Sequence, residues 1–363
     1  MKLKALEINN FRNIENMNIE PCETVNVIFG ENAQGKTNLL ESIWLFTGCK
    51  SFRGTSDKEL VMFEKEKSKL KLDFFSDGRD QYMNIDIDTK RKISKNGIDY
   101  PSCSKAVGEI RCVVFSPVHL SIIKQGPAER RRFIDIAISQ LRPNYAKLLT
   151  EYNRAVKQRN ILLKDAAFHS EIYDMLDIWD DRTAHYASRI ANYRISYLEK
   201  LKIQVDEIYG GISSKKEKIE IKYIQSGAKE NFVSKEEYIE KLKKARKEDI
   251  TLGSTSVGIH RDDIEISIDG ISARKYGSQG QQRSAALALK LGEASVIKEM
   301  TGEQPVALLD DVMSELDISR QDYILNHIKD WQVFITCCDP NTIKNLKQGK
   351  GFEIEKGKII SIR

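Results

Sequence analysis

The chain contains, at residues 30–37, the stretch Gly30-Glu31-Asn32-Ala33-Gln34-Gly35-Lys36-Thr37, which has the pattern G-x-x-x-x-G-K-T. An apolar run with strand composition, Val25 to Phe29, precedes it, and apolar residues at helical spacing follow from Asn38. Glycines allow the backbone to curl so that its N–H groups and the positive end of the helix face a bound anion. Lys36 is expected to reach the outer phosphates of a nucleotide, and the Thr37 hydroxyl to bind Mg²⁺. The pattern therefore predicts a phosphate-binding loop in an α/β fold.

The composition is that of a globular protein with enough apolar residues for a large core. The chain has 363 residues, of which 40% are hydrophobic, and a formal net charge of +5. This charge permits an anionic partner such as DNA but does not require one. The six cysteines show no C-x-x-C spacing, which argues against a zinc site and favours reduced thiols. Because no apolar run reaches membrane-spanning length and the first residues do not form a signal peptide, we expect a cytoplasmic protein without a membrane partner.

A second glycine-containing motif predicts another helix start that can bind an anion. The stretch from Tyr276 to Ser284 reads YGSQGQQRS and precedes a helical pattern from Ala285 to Glu299. Ser278 is a favourable N-cap residue, and the glycines leave backbone N–H groups exposed at the positive helix end. Ser278, Gly280 and Gln281 are therefore candidate phosphate contacts, in addition to residues 30–38.

Two carboxylates follow a buried apolar strand. The run from Val306 to Leu309 ends in Asp310 and Asp311. Asp310 can hold Mg²⁺ directly or through water, and Asp311 can polarise the attacking water. One carboxylate at this place could be structural, but two carboxylates after four apolar residues, with a phosphate loop upstream, indicate a Walker B motif. The motifs predict a bound nucleotide and Mg²⁺, and the resemblance described below implies that the nucleotide is ATP. Thr37 and Asp310 are the predicted metal ligands, and Lys36 and Asp311 are the predicted catalytic residues.

Three groups of basic residues have two interpretations each. Lys50 and Arg53 flank an aromatic residue between glycines, which suits either a contact to a nucleic-acid backbone or a charged surface loop. The arginines of Arg130-Arg131-Arg132 cannot all share one helix face, so at least one is expected to point to solvent or to a charged partner. This run is either a basic helix start or a contact to DNA or nucleotide. Arg12 lies in a predicted turn and either contacts the nucleotide or is solvated.

The pattern of apolar residues divides the chain into three segments. Short strand-like runs between residues 69 and 115, with Asp-Gly and Asn-Gly turn signals, predict an antiparallel sheet. Helical patterns over 143–164 and 171–209, with a polar break near His169-Ser170, predict an antiparallel helical arm. These patterns divide the chain into residues 1–115, 116–250 and 251–363. The resemblance described below implies that these segments are the N-terminal part of an ATPase lobe, a helical arm with a second-lobe insertion, and the C-terminal part of the ATPase head.

A charged stretch precedes another predicted strand, at Gly258-Ile259-His260-Arg261-Asp262-Asp263. Its histidine and carboxylates could suggest a metal site. However, adjacent residues of a strand point to opposite faces and cannot converge on one ion. We therefore do not predict a metal site here.

These motifs together resemble a known class of ATPases. The phosphate loop, Ser278-Gln279-Gly280-Gln281-Gln282, Leu308-Leu309-Asp310-Asp311 and Ser314-Glu315-Leu316-Asp317 resemble the ABC-type ATPase heads of the SMC class. Two further stretches, Pro117 to Asp135 and Gly258 to Arg283, resemble the RecF family of bacterial recombination mediators. The resemblance extends from the first strand to Thr336. It implies a P-loop ABC/SMC-type ATPase head with a mixed sheet, and a second lobe with a short antiparallel helical arm.

The resemblance to RecF also implies a function, an ATP-dependent DNA-binding clamp. Two chains would meet head to tail, with ATP between the phosphate loop of one chain and Ser278 and Gly280 of the other. This homodimer would hold DNA, and hydrolysis would release it. The family further implies action in DNA replication and recombinational repair, at single-strand gaps and duplex junctions, with recombinase loading and SOS induction as outcomes. RecR and RecO are the implied partners.

The chain departs from the related ATPases at two positions. Asp311 stands where they usually have glutamate, so we expect slow hydrolysis that serves as a switch. Thr336-Cys337-Cys338 stand where many ABC ATPases have a histidine, which leaves the sensor of the γ-phosphate unassigned. Two other functions remain as alternatives, the motor subunit of a transporter and a structural SMC-like protein. The helical insertion and the strand-rich first lobe disfavour the first, and arm helices of at most about 40 residues are too short for the long coiled coil of the second.

Overall fold

The computed structural model describes residues 1–166, 172–226, 234–328, 330–338 and 349–363. Contacts between Cα atoms divide the chain into two units. The first unit contains Met1–His119 and Leu287–Arg363, and the second contains Leu120–Ala286. The polar break predicted near His169-Ser170 lies outside the described residues.

The first unit is rich in strands and the second in helices. In chain order the strands are β1 Lys2–Phe11, β2 Ile14–Ile19, β3 Val25–Phe29, β4 Ser68–Ser76, β5 Arg79–Ile87, β6 Arg91–Lys95, β7 Ile98–Asp99, β8 Cys112–Phe115, β9 Ile219–Ile224, β10 Asp263–Ile268, β11 Ile271–Ser272, β12 Val306–Asp310, β13 Val333–Cys337, β14 Lys350–Glu355 and β15 Lys358–Ile362. The helices are α1 Lys36–Leu45, α2 Ser121–Lys124, α3 Pro127–Leu141, α4 Pro143–Asp165, α5 Tyr173–Ile212, α6 Lys235–Leu252, α7 Ala273–Tyr276, α8 Gln279–Thr301 and α9 Ile318–His327.

A mostly parallel sheet positions the two nucleotide motifs in the first unit. Its strand order is β15-β14-β3-β13-β12-β8, and only the β14–β15 pair is antiparallel. β12 and β13 are buried along their whole length, as expected for parallel strands that are covered on both faces. Because β13 lies between β3 and β12 and all three are parallel, the carboxyl ends of β3 and β12 lie at the same edge of the sheet.

A second sheet in the first unit is antiparallel, with the order β2-β1-β4-β5-β6-β7. The predicted turn signals connect its hairpins, because Asp77 and Asn96 adopt positive φ angles of 52° and 50°. The predicted strand at residues 111–115 was wrongly assigned to this sheet. It forms β8, which pairs in parallel with β12 in the other sheet. All four residues of Cys112–Phe115 are buried, as are those of β12 and β13 in the parallel sheet.

The predicted helical arm forms the centre of the second unit. α4 and α5 are antiparallel, since Arg159 contacts Asp180 near one end of the pair and Tyr145 contacts Arg194 farther along. At 1.5 Å per residue, the 40 residues of α5 extend about 60 Å. Most of the predicted apolar stripe of α5 is buried against its neighbours, which include α6 and β9 as well as α4, whereas Met175 is exposed.

The second unit extends past the predicted boundary at residue 250. β10 pairs with β9 in antiparallel register from Asp263↔Ile224 to Ile268↔Ile219. This pairing places the stretch 251–286 with the helical arm, so the predicted segment 251–363 divides near Ala286. The sequence placed this stretch with the ATPase head because it contains the S-x-G-Q-Q motif.

The charged stretch before β10 is held by contacts within the second unit. His260 Nδ1 lies 2.6 Å from the Tyr152 hydroxyl, and Asp262 accepts a hydrogen bond from the Tyr223 hydroxyl at 2.5 Å. Asp263 makes a two-point ion pair with Arg130. The three side chains thus contact three different partners. His260 and Asp262 precede the strand, which begins only at Asp263, so the assumption that they alternate along a strand was wrong. Their contacts fix the entry to β10.

A buried arginine joins the helices of this unit. Arg159 of α4 has no exposed side-chain area and donates hydrogen bonds to Asp180 of α5 and Asp249 of α6, each at 2.6 Å, and to the Thr255 hydroxyl at 2.9 Å. Charges this deep are tolerated only when they are paired. The network therefore fixes the register of three helices.

We predict that Arg159→Ala lowers the free energy of unfolding by about 3–5 kcal/mol, because it leaves two buried carboxylates without this partner. Urea denaturation followed by circular dichroism measures the change. Arg154→Ala is the control, since Arg154 lies on the same helix with its side chain exposed, and it should change stability by less than about 0.5 kcal/mol. Equal midpoints for Arg159→Ala and the unaltered protein would contradict this account.

Candidate functional site

The phosphate loop has the backbone conformation that its glycines predict. It leaves β3 at Gly30, with φ 148°, and enters α1 from Gly35, with φ 111°. A Cβ atom at Gly30 would lie 2.3 Å from the carbonyl oxygen of Ile354, so a larger residue does not fit there. The curl between these two residues forms the concave surface that a phosphate group requires.

Lys36 lies across this curl. Its Nζ donates hydrogen bonds to the carbonyl oxygens of Gly30 at 2.7 Å and Glu31 at 2.8 Å, and the residue is buried. The ammonium group is therefore held over the concave face of the loop. A bound phosphate would exchange these neutral acceptors for a charged one, which forms the stronger hydrogen bond.

The Walker B carboxylate contacts the phosphate loop directly. Thr37 Oγ1 donates to Asp310 Oδ1 at 2.8 Å, and Thr336 Oγ1 donates to the same oxygen at 3.1 Å. Burial raises the pKa of Asp310, and these two hydrogen bonds oppose the rise. A hydroxyl and a carboxylate at this distance suit Mg²⁺, which commonly takes few protein oxygens and completes its shell with water and phosphate. Among the described residues no group of three or more His, Cys, Asp or Glu side chains could hold a metal alone.

Asp311 has an unusual backbone conformation beside this pair. Its φ is 51°, and its N–H donates to Thr336 Oγ1 at 2.9 Å. The residue lines the same cavity as Lys36 and Thr37. Asp311 therefore borders the cavity next to the Thr37–Asp310 pair.

The phosphate loop is fixed by two segments that the sequence did not associate with it. In the turn between β14 and β15, Lys356 N donates to Gln34 Oε1 at 2.6 Å and Gly357 N donates to the Gln34 carbonyl oxygen at 2.9 Å. Asn13 donates to the Ala33 carbonyl oxygen at 3.2 Å. A Lys-Gly turn between two short strands is visible in the sequence, but its proximity to the loop depends on the pairing of β14 with β3.

Arg12 is not the solvated arginine that was one of the two interpretations. Its guanidinium makes two hydrogen bonds of 3.0 Å to the buried carboxylate of Glu41 in α1, and another to the Thr55 hydroxyl at 2.7 Å. It also lines the cavity. Arg53 donates to Asn38 Oδ1 at 2.9 Å and lies 3.7 Å from Glu41, so the basic segment around it contacts the first turn of the nucleotide helix.

A cysteine reaches the loop from the position where the switch histidine is missing. Cys338 Sγ accepts from Lys36 Nζ at 3.7 Å and donates to Asn32 Oδ1 at 3.1 Å. Two residues earlier, Thr336 binds both Asp310 and Asp311. Neither contact was predicted from the sequence, although both residues lie at the end of a buried strand, Thr336 within β13 and Cys338 directly after it.

The second motif forms an exposed helix start, and α8 begins at Gln279, before the predicted Ala285. The Ser278 hydroxyl accepts from Gln281 N at 3.2 Å, and Ser278 N donates to Gln281 Oε1 at 2.8 Å. Gln281 Nε2 donates to Glu217 at 2.8 Å. Ser278 is exposed and Gly280 is half-buried. The N-terminus of α8 is therefore capped by hydrogen bonds from side chains of the motif itself.

The three consecutive arginines have different environments. Arg130 is buried against Asp263, Arg131 is half-buried and donates to the Asp262 carbonyl oxygen at 2.6 Å, and Arg132 is exposed. The expectation that at least one of them points outward is thus met by Arg132. Lys50 is exposed as well. Arg130 has a structural role.

Comparisons with known proteins agree with this geometry. The family model described as AAA ATPase domain matches residues 1–333. The chain is 42% identical over 363 residues to the DNA replication and repair protein RecF of Clostridium perfringens, covering 99% of each chain. It is 40% identical over 339 residues to the protein of the same name from Lachnoclostridium phytofermentans, covering 93% of this chain and 92% of the relative.

Solved structures give the same result. A structure of the recombination mediator protein RecF with ATP in the RecFOR pathway matches with a TM-score of 0.91 and 40% identity, over 99% of this chain and 96% of the other. An SMC head domain from Pyrococcus furiosus matches with a TM-score of 0.57 and 15% identity, over 100% and 96%, which supports the fold alone. The described residues contain no helix long and apolar enough to cross a membrane. The predicted fold of a P-loop ABC/SMC-type ATPase head is confirmed, and the chain belongs to the RecF family.

Proposed function

We propose that this protein is an ATP-dependent DNA-binding clamp of DNA replication and recombinational repair, which dimerises on ATP and is released by slow hydrolysis. The observation that carries the proposal is the contact between Thr37 and Asp310, which brings the phosphate loop and the Walker B strand within 2.8 Å of each other. Relatives that are 40–42% identical are named DNA replication and repair proteins, and this name favours a repair protein over a transporter motor.

Each residue of the site has a proposed task. The N–H groups of residues 30–38 and the Lys36 ammonium bind the phosphates. Thr37 and Asp310 would hold Mg²⁺, which would supply positive charge next to the phosphates. Asp311 orients the attacking water. Its side chain is one methylene shorter than glutamate, so the carboxylate reaches less far from the strand end, and we expect slow turnover.

A second chain completes the site in this proposal. Ser278, Gly280 and Gln281 lie at an exposed helix N-terminus, whose N–H groups suit a γ-phosphate presented by another copy. Nucleotide binding would then join two copies, because each supplies donors that the other lacks. DNA at single-strand gaps and duplex junctions is the proposed ligand of the dimer, with RecR and RecO as partners in the cytoplasm.

For DNA contact we propose Lys50 and Arg132, which are exposed, and Arg53 and Arg131, which are only partly committed to contacts within the chain. Arg130 is left out because its guanidinium is buried against Asp263. Cations at the surface can approach a phosphate backbone without losing a buried partner.

Lys36→Ala should abolish nucleotide binding and, with it, ATP-dependent dimerisation and retention of duplex DNA. The reason is that the ammonium provides the only charged donor that we place at the outer phosphates. Light scattering with and without ATP measures the dimer, and filter binding measures the DNA. Lys105→Ala, at an exposed position of the same unit, should behave like the unaltered protein. DNA binding that is indifferent to ATP and to Lys36→Ala would refute the clamp.

Asp311→Asn should lower the rate of phosphate release by at least about 100-fold, the lower range for loss of a general base, while the ATP-bound dimer persists. Asparagine also tolerates the positive φ at this position, so the backbone is retained. Asp99→Asn, exposed in β7, is the matched control and should turn over normally. Loss of ATP binding in Asp311→Asn would mean that the residue serves binding and not hydrolysis.

Lys50→Ala and Arg132→Ala should each weaken DNA binding and reduce the slope of log K against log salt concentration by about one, because each removes one phosphate contact. Titrations at several salt concentrations measure the slope. Lys50→Arg and Arg132→Lys retain the charge and should leave the slope unchanged. An unchanged slope for an alanine variant would exclude that residue from the DNA contact.

A further inference from the structure

One buried hydroxyl group lies between the two carboxylate residues at the end of β12. Thr336 stands near the end of β13 and has no exposed area. Its Oγ1 accepts a hydrogen bond from the Asp311 N–H at 2.9 Å and donates to Asp310 Oδ1 at 3.1 Å. A buried hydroxyl that makes both bonds is itself fixed, so it can hold its partners in one arrangement.

The backbone of Asp311 is held by side chains and not by the sheet. β12 ends at Asp310, which is paired with Thr336, so Asp311 lies beyond the last pair of the ladder. Its φ of 51° is in the left-handed region, which residues with a Cβ atom adopt at a cost in free energy. Thr336 binds the N–H, and the Ser314 hydroxyl donates to the Asp311 carbonyl oxygen at 2.9 Å. These two hydrogen bonds therefore stabilise an intrinsically unfavourable conformation.

Asp310 depends less on Thr336 than Asp311 does. The same Asp310 oxygen also accepts from Thr37 Oγ1, at the shorter distance of 2.8 Å. The Thr336 hydroxyl in turn has a second acceptor within reach, the Leu309 carbonyl oxygen at 3.5 Å. It can therefore turn its proton away from Asp310 and still accept from the Asp311 N–H.

We infer that Thr336 is a positioning residue for hydrolysis, because its hydroxyl fixes the backbone of Asp311 and thereby the place of the Asp311 carboxylate. The inference rests on the proposed function, in which Asp311 orients the attacking water. Asp311 lines the cavity with Lys36 and Thr37, and its carboxylate is separated from the backbone by a single methylene group. So short a side chain cannot compensate for a shift of its own backbone. Loss of the Thr336 hydroxyl should thus slow hydrolysis without weakening ATP binding.

The experiment removes the hydroxyl and retains the shape of the side chain. Thr336→Val is nearly isosteric and keeps the β-branch that suits a strand, whereas Thr336→Ser keeps the hydroxyl. Steady-state ATPase assays give kcat and KM, and titration with a fluorescent ATP analogue gives the affinity at several Mg²⁺ concentrations. Urea denaturation gives the stability of each variant.

Thr47→Val is the matched control. Thr47 is also fully buried in the first unit. Its hydroxyl makes two comparable hydrogen bonds, to the Trp44 carbonyl oxygen at 2.7 Å and from Cys49 N at 3.2 Å. Thr47→Val therefore reports the effect of losing a buried threonine hydroxyl away from the carboxylates.

We expect Thr336→Val to lower kcat by about tenfold or more, because the Asp311 N–H loses its acceptor, with an ATP affinity and Mg²⁺ dependence within about twofold of the unaltered protein. Thr336→Ser should restore kcat to within about threefold of the unaltered protein. Thr336→Ala also lacks the hydroxyl and should show the same defect, so the test does not depend on the folding of one variant. Thr47→Val should lose similar stability and keep an unchanged kcat.

A double variant separates positioning of Asp311 from a general structural effect. When Thr336→Val is introduced into Asp311→Asn, it should change kcat by less than about twofold, because the carboxylate that it positions is already lost. A merely structural role of Thr336 would lower kcat by the same factor in both backgrounds.

Three results would overturn the inference. The first is an unchanged kcat in Thr336→Val, and the second is full additivity of the two substitutions in the double variant. The third is a weaker ATP affinity or a higher Mg²⁺ requirement in Thr336→Val, which would place its role at Asp310. If the unaltered protein neither bound nor hydrolysed ATP, the proposed function itself would fail, and this outcome is distinct from a defect limited to Thr336→Val.

Discussion

The parallel register of β3, β13 and β12 is the constraint on which the nucleotide site depends. It brings the carboxyl ends of β3 and β12 to one edge of the sheet, although the chain between these strands contains the whole second unit. The hydrogen bond from Thr37 to Asp310 is possible only in this register. Thr336, at the end of the strand between them, donates to the Asp310 carboxylate and accepts from the Asp311 backbone N–H, so a single hydroxyl holds both residues in place.

The local motifs could be predicted from the sequence because the residues that define each motif are adjacent in the chain. The loop from Gly30 to Thr37 and the pair Asp310-Asp311 carry backbone conformation, charge and burial within a few residues. The contacts of Cys338 with Lys36 and of Gly357 with Gln34 could not be predicted, because they depend on which strands pair across the sheet. No short pattern encodes a pairing between strands that are hundreds of residues apart.

Runs of chemically similar residues did not reveal their environment, because the environment of each residue depends on its partners in the fold. Cys112–Phe115 is apolar throughout, which fits a short strand of either sheet, and only its pairing with β12 decides between them. Arg130 and Arg132 are chemically identical, yet one is buried against Asp263 and the other is exposed. Charge alone therefore predicted a basic surface but not which arginine belongs to it.

The pairing of β3 with β13 and β14 has a consequence for the order of folding. Asn26 of β3 donates to the Val333 carbonyl oxygen across a sequence separation of 307 residues, and the turn that clamps Gln34 comes later still. Contacts between such distant residues form slowly, because a long loop must close before they stabilise anything. During synthesis, β3 therefore cannot pair with β13 and β14 until nearly the whole chain has been made. Although the phosphate loop lies near the N-terminus, it is among the last parts of the protein to adopt its native conformation.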